Sequence, residues 1–269
     1  MPELPEVETT RRGIEPHILG QRLQQVIVRQ PRLRWPVPEQ IHELQGAPID
    51  QVRRRGKYLL LETGQGTGLI HLGMSGSLRI STPQSPVEKH DHVDFVFENE
   101  RVLRLRDPRR FGAVLWAGCG DLHPLLQKLG PEPLEDGLSG AYLYQRSRGK
   151  QLAIKAFIMD AQVVVGVGNI YANEALFAAG IDPRRAAGRV SLPEYERLSV
   201  TIKQILAAAI QQGGTTLRDF VREDGQSGYF QIQLQVYGRS GETCLQCGTL
   251  LKHIRQGQRS TWYCPHCQH

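Results

Sequence analysis

Residues 244–267 read CLQCGTLLKHIRQGQRSTWYCPHC, two C-x2-C pairs with sixteen residues between them. That is the spacing of a structural zinc site, in which two knuckles each supply two thiolates and a hairpin joins them. Cys244, Cys247, Cys264 and Cys267 are therefore the expected ligands of one structural Zn2+ ion. Two chance C-x2-C pairs and a disulfide-bonded tail are the competing readings, and nothing in the chain suggests secretion. The hairpin carries Lys252, Arg255 and Arg259, so a bound metal would rigidify a small cationic surface. Ribbons of this kind bind nucleic acid, but many bind protein.

Working outward from the finger, 269 residues allow about two further domains. No apolar run reaches the ~18 residues that a membrane span requires, and the N-terminus lacks a charged-then-apolar signal pattern. The expected location is the cytosol. The formal net charge is +6, and the cations cluster. Arg53, Arg54, Arg55 and Lys57 form one group, Arg104, Arg106, Arg109 and Arg110 a second, and Arg146, Arg148, Lys150 and Lys155 a third. Charge runs are often only solvated faces, but three clusters and a basic finger point to a polyanion partner.

Apolar spacing at Leu4, Val7, Ile14 and Ile18, with Pro5 in the first turn and Gly20 after the last, predicts a helix from Glu3 to about Leu19. Short β-rich runs follow at 25–30, 48–55, 58–63 and 68–74. The stretch HVDFVFENERVLRLR (92–106) predicts a hairpin with its tip at Asn99–Glu100. Seven or eight strands without helices between them argue for an antiparallel sandwich or flattened barrel. After the linker GPEPLEDGLSG (130–140) the pattern turns helical, over 141–160, 169–180 and 192–214. The expected fold is thus multidomain α+β: a catalytic N-terminal helix and β-sandwich (1–131), a linker (132–150), a helical domain (151–222), a mobile loop (223–234) and a zinc finger (235–269).

The chain opens MPELPE. Once Met1 is removed, Pro2 presents a free secondary amine. An ordinary α-amine has a pKa near ~7.7–8.0, well below lysine's ~10.4, so much more of it is nucleophilic at neutral pH. Attack on a sugar carbon gives an iminium ion directly, which makes the neighbouring proton acidic. Glu3 stands beside it to protonate a departing or ring oxygen, and Glu6 lies one turn on. Proline and glutamate also open helices for structural reasons alone. In GVGNIYANEAL, glycines precede Asn169 at a helix start, where backbone N–H groups suit a phosphate. The loops MSG (74–76) and DPRRFG (107–112) set Met74, Arg109 and Phe111 beside glycine or proline. On a cationic face such side chains can wedge between bases, with Arg109 reading an edge.

PELPEVET, KYLLL (57–61), HLGMSGSL (71–78), DPRRFG, VVGVGNIYANE, GGTTLRDF (213–220) and the finger ending QRSTWYCPHC occur together and in order. In this the chain resembles the bacterial formamidopyrimidine-DNA glycosylase family over its whole length. The resemblance implies a helix and β-sandwich domain, a helix–two-turn–helix domain and a zinc finger. It implies a base-excision-repair enzyme that removes oxidised purines (8-oxoguanine, formamidopyrimidines) from duplex DNA and then nicks the abasic site by β,δ-elimination. By resemblance Pro2 is the Schiff-base nucleophile and Glu3 the acid that assists sugar opening. Lys57 serves β-elimination, and Arg259 serves δ-elimination and phosphate binding. His90, Arg109, Lys150, His71, Asn169 and Tyr237 match DNA contacts. Met74, Arg109 and Phe111 match the trio that fills the gap left by an extruded nucleotide. Lys155 and the 217–231 loop are candidates for lesion recognition, with Arg218 where a related lysine is often found. The partner implied is double-stranded DNA with oxidised bases or abasic sites, bound by a monomer associated with the bacterial nucleoid. An endonuclease VIII type acting on oxidised pyrimidines, and a non-catalytic zinc-dependent DNA-binding protein, are the alternatives.

Overall fold

The computed structural model describes residues 2–213 and 234–269. The expected mobile loop (223–234) up to residue 233, the lesion-recognition segment 217–231 and Arg218 lie outside the described residues. The described chain divides into two compact units, residues 2–127 and residues 128–212 with 234–269.

In the first unit, α1 (Leu4–Ile18) begins where the sequence places it. Glu3 is its N-cap and forms a reciprocal capping box with Glu6, and a proline sits in the first turn. Its inward face, Val7, Ile14 and Ile18, joins a core shared by two four-stranded antiparallel sheets. One sheet has the order β1-β6-β7-β5, made of β1 (Leu23–Val28), β6 (Asp91–Phe97), β7 (Val102–Arg106) and β5 (Ser77–Ser81). The other has the order β2-β3-β4-β8, made of β2 (Gln51–Arg55), β3 (Tyr58–Thr63), β4 (Gly66–His71) and β8 (Ala113–Gly118). The β6–β7 hairpin pairs Val93 with Leu105 and Phe95 with Leu103, all fully buried. Each such side chain contributes roughly 1.5–3 kcal/mol through burial. The hairpin tip falls where the sequence predicts it, with Glu100 left-handed at φ 60°. The sequence does not single out β5 and β8, which find their sheets through long-range pairing to β7 and β4.

The second unit is built on α5 (Asn169–Ala178), buried along almost its whole length, and α6 (Leu192–Gln211), which opens with a Ser191–Glu194 capping box. The continuous helical pattern expected over 141–160 is corrected. Short α2 (Pro124–Gln127) ends the first unit, and α3 (Gly140–Ser147) and α4 (Ile154–Met159) are separate helices. Gly149 lies between them at φ +72°, a left-handed conformation that ends α3 and that side chains disfavour. The finger hairpin is β9 (Lys252–Gln256) paired with β10 (Arg259–Tyr263). Its core of Cys244, Leu251 and Cys264 packs with Phe177 of α5 and Val236. The finger therefore has apolar support from the helices.

Candidate active site and nucleic-acid interface

Glu3 is buried (1 % exposed) and is fixed by the start of α1. Its side chain accepts the Glu6 backbone N–H, while its own N–H donates to Glu6 Oε2 at 2.8 Å. Pro2, the preceding residue, is also buried. Lys57 occupies the two-residue turn closed by the Arg55–Tyr58 pair of β2 and β3. Arg54 ties that turn to α1: its Nε donates to Glu8 Oε2 at 3.1 Å and its guanidinium to the Gly56 carbonyl at 3.1 Å. Burial disfavours the Glu8 carboxylate, but hydrogen bonds from Arg11 and Arg12 and the charges of Arg11 and Arg54 hold its carboxyl below the usual range. One ionised glutamate thus anchors both the helix behind Pro2 and the turn that carries Lys57.

His71, at the end of β4, is pushed down to about 4 by burial and then by the charges of Lys57 and Arg34. It is neutral near pH 7. Its Nδ1 accepts the Gly73 N–H at 3.0 Å, which leaves the proton on Nε2. The next residues form the MSG loop. Met74 is 36 % and Phe111 46 % exposed, and the Arg109 guanidinium lies 5.1 Å from the Phe111 ring centroid. Large apolar side chains at the solvent-facing ends of strands, one of them capped by a cation, fit insertion between bases. His90 adjoins this loop, its carbonyl accepting the Asp107 N–H at 3.0 Å.

In the second unit Asn169 is the first residue of α5, where the helix dipole favours an anion. Its Oδ1 is buried without a hydrogen-bond partner among the described residues. Asn173, one turn on, donates to the Asn169 carbonyl at 2.6 Å and accepts the Trp262 N–H of β10 at 2.9 Å. Tyr237 rests on the Trp262 ring at 4.4 Å. Its N–H, with those of Gln235 and Val236, donates to the Glu174 carboxylate. Burial raises the Glu174 carboxyl, and the three backbone donors pull the other way. The sequence reading missed Glu174, although one acid in an otherwise apolar helix was a usable signal. Lys150 stands apart on the α3–α4 break, exposed. Arg259 begins β10 and lines a cavity with Lys155, Asp160 and Gln256. Lys155, expected to face the lesion, donates instead to the Ser260 carbonyl and Thr261 Oγ1, both at 2.7 Å.

The cationic clusters are only partly available to a polyanion. Arg104 is buried and bonded twice to Asp94 at 2.9 Å, and Arg106 pairs with Glu88. Arg54 is bound to Glu8 and Arg53 to Glu62. Arg148 lies over the Tyr144 ring and donates to backbone carbonyls. Neighbours in sequence gave the clusters; the folded chain spends about half of them internally.

The Sγ atoms of Cys244, Cys247, Cys264 and Cys267 all lie within 4.8 Å of one another, with Cys247–Cys264 at 3.5 Å and Cys244–Cys267 at 3.9 Å. A tetrahedral Zn–S bond of about 2.3 Å demands sulfurs about 3.8 Å apart. The four thiols fit a structural Zn2+, and none is in a disulfide.

Three domain families match in the order of the fold: the formamidopyrimidine-DNA glycosylase N-terminal domain over residues 1–114, its H2TH domain over 129–221, and the zinc finger found in FPG and IleRS over 241–269. The chain is 61 % identical to the formamidopyrimidine-DNA glycosylase of Thioalkalivibrio sulfidiphilus and 59 % identical to that of Alcanivorax borkumensis, covering the whole of each. The chain belongs to the formamidopyrimidine-DNA glycosylase family. Among solved members, MutM (Fpg) from Thermus thermophilus superposes with a TM-score of 0.90 at 39 % identity, covering 99 % of this chain and 98 % of that one. Lactococcus lactis Fpg, in a complex with DNA containing an abasic site, gives 0.91 at 36 % identity over 99 % of each chain. The glycosylase fold of sandwich, helix–two-turn–helix domain and finger is the one expected from the sequence.

Proposed function

We propose that Pro2 is the nucleophile of this glycosylase and that Glu3, Lys57 and Arg259 serve its later steps. The chain is a bifunctional DNA glycosylase and AP lyase of base excision repair, acting on oxidised purines in double-stranded DNA. A base inside the stack is out of reach of an N-terminal amine, so the nucleotide must be extruded. The unprotonated Pro2 nitrogen attacks C1′, the base departs as the sugar ring opens, and Glu3 gives a proton to the ring oxygen. The iminium then acidifies the C2′ proton. Its removal expels the 3′-phosphate with Lys57 beside the reacting atoms, and Arg259 supports the second elimination. Unstacking costs a few kcal/mol, which Met74, Arg109 and Phe111 offset by filling the vacated space. His71, His90, Lys150, Asn169 and Tyr237 hold the backbone. Cys244, Cys247, Cys264 and Cys267 would hold a structural Zn2+ that, when bound, would keep the finger hairpin ordered around Arg259.

The observation that carries this assignment is Glu3 locked as a buried helix cap next to Pro2, at the head of a chain aligned end to end with the family. The working form we assign is a monomer in the cytoplasm, bound to the nucleoid through DNA. The domain limits we assign from the sequence are 1–131, 151–222 and 235–269. Pro2→Gly should slow cleavage of a pre-formed abasic duplex by on the order of 100-fold while leaving duplex affinity within a few-fold. Equal losses in cleavage and binding would count against the role given to Pro2.

A further inference from the structure

Asp107 directly follows β7 at the base of the DPRRFG loop and is fully buried (0 % exposed). Within that loop its Oδ1 accepts the Arg109 N–H at 3.3 Å and its Oδ2 the Gly112 N–H at 2.7 Å. These are local bonds of the kind a turn-capping aspartate makes. One bond is not local. Ser75, 32 residues away in the MSG loop, donates its hydroxyl to Asp107 Oδ1 at 3.0 Å. The main chain of Asp107 adds two more attachments, its N–H donating to the His90 carbonyl at 3.0 Å and its own carbonyl lying 2.8 Å from His92 Nε2.

The two loops also meet backbone to backbone. A Cβ on Gly73 would collide with the main chain of Phe111 and Gly112, and one on Gly112 would strike the His71 carbonyl and Asp107 Oδ2. Arg110 is held left-handed at φ 55°, a conformation that is disfavoured for a non-glycine residue and that needs firm neighbours. Each of the three bonds to the carboxylate ends on a residue adjoining Met74, on Arg109 or on the residue after Phe111.

We propose that the Asp107 carboxylate is a positioning residue that locks the two loops together, so that Met74, Arg109 and Phe111 enter the duplex as one preformed wedge. This rests on the assignment of those three side chains as the gap-filling trio. Two independent loops would each have to be ordered as the base leaves, at the moment when unstacking is already unfavourable. A joined pair is ordered beforehand, in the free protein. An asparagine at 107 cannot replace the carboxylate, because its NH2 would face either the Gly112 N–H or the donors on Oδ1.

Ser75→Ala tests the link while sparing the local turn. Excision of 8-oxoguanine from a duplex should fall about ten-fold, mainly in kcat, with a slower rise in the fluorescence of a 2-aminopurine placed beside the lesion. Cleavage of an abasic site in a single strand, where nothing has to be unstacked, should stay within two-fold. Asp107→Asn should show the same pattern with a larger loss. Ser75→Ala matching wild type on both substrates, or losing both equally, would overturn the proposal. Wild-type protein that cuts neither substrate would instead refute the parent assignment, so the two failures are separable.

Discussion

The wedge loops of the sandwich and the finger hairpin of the second unit face one problem and solve it differently. Both are short irregular stretches that must hold side chains rigid at the protein surface. The sandwich does it with a buried carboxylate, Asp107, whose donors come from two loops. The finger does it with four thiols set for a metal, backed by Asn173, Lys155 and Glu174 reaching across from the helices. A carboxylate is part of the chain and present from the moment of folding. A metal can be withdrawn, so the two regions should respond to different insults.

The largest effect should come from withdrawing zinc. Chelation should weaken duplex binding on the order of 100-fold, because Arg259 and Tyr237 lose their ordered frame. The melting of the sandwich should not move. Circular dichroism showing all β-structure lost on chelation would erase the contrast. Next comes the ionic frame inside the sandwich. Arg104→Ala leaves the buried Asp94 with Arg29 as its remaining ion-pair partner among the described residues, and should cost about 1.5–3 kcal/mol of stability. Duplex affinity should change less than two-fold, measured by denaturant titration and by binding. A large loss of affinity without loss of stability would return Arg104 to the DNA face.

Acid should separate the two units further. His71 in the folded sandwich titrates at about 4, below its ordinary 6.5, so the unfolded chain takes up this proton first. Sandwich stability should therefore decline as pH falls from about 6.5 to about 4, by up to about 3 kcal/mol, and this loss should level off below. His71→Gln should abolish that window. Glu194 in the second unit shifts in the same direction but over a lower pH window. Arg185 holds its carboxyl at about 2, so its stabilisation is complete above about 4.5 and is lost only as pH drops toward 2. Melting curves at pH 7, 5 and 3.5 would reveal a common window if this difference is wrong. Smallest is Asn173→Ala, which strips the Trp262 N–H of its acceptor and should cost about 1–3 kcal/mol. That loss should grow when zinc is removed, since α5 and the metal support the same hairpin.

What the sequence made legible were features carried by local pattern: the four cysteines, the capped start of α1, the β6–β7 hairpin and the helices α5 and α6. The chain order of the motifs marked out the candidate site residues. Features set by distant partners were not legible. Strands β5 and β8 have no strong alternation of their own and are defined by pairing across the sheets. The break at Gly149 hid inside a helical pattern. Arg104 and Arg54 looked like surface charge because Asp94 and Glu8 are not their obvious neighbours in sequence. Lys155 looked free to meet a lesion because β10, a hundred residues away, was not yet in view. Asp107 and Glu174 show the same lesson in reverse: each is an acid whose donors are invisible until the chain folds.

The central claim is that the N-terminal proline forms the covalent bond to DNA. It is tested most directly by borohydride trapping on a duplex carrying one 8-oxoguanine opposite cytosine, followed by mass mapping of the cross-linked peptide. The account predicts one adduct, on Pro2, with Met1 gone. An adduct on Lys57 or another lysine, or none while the duplex remains bound, would contradict it.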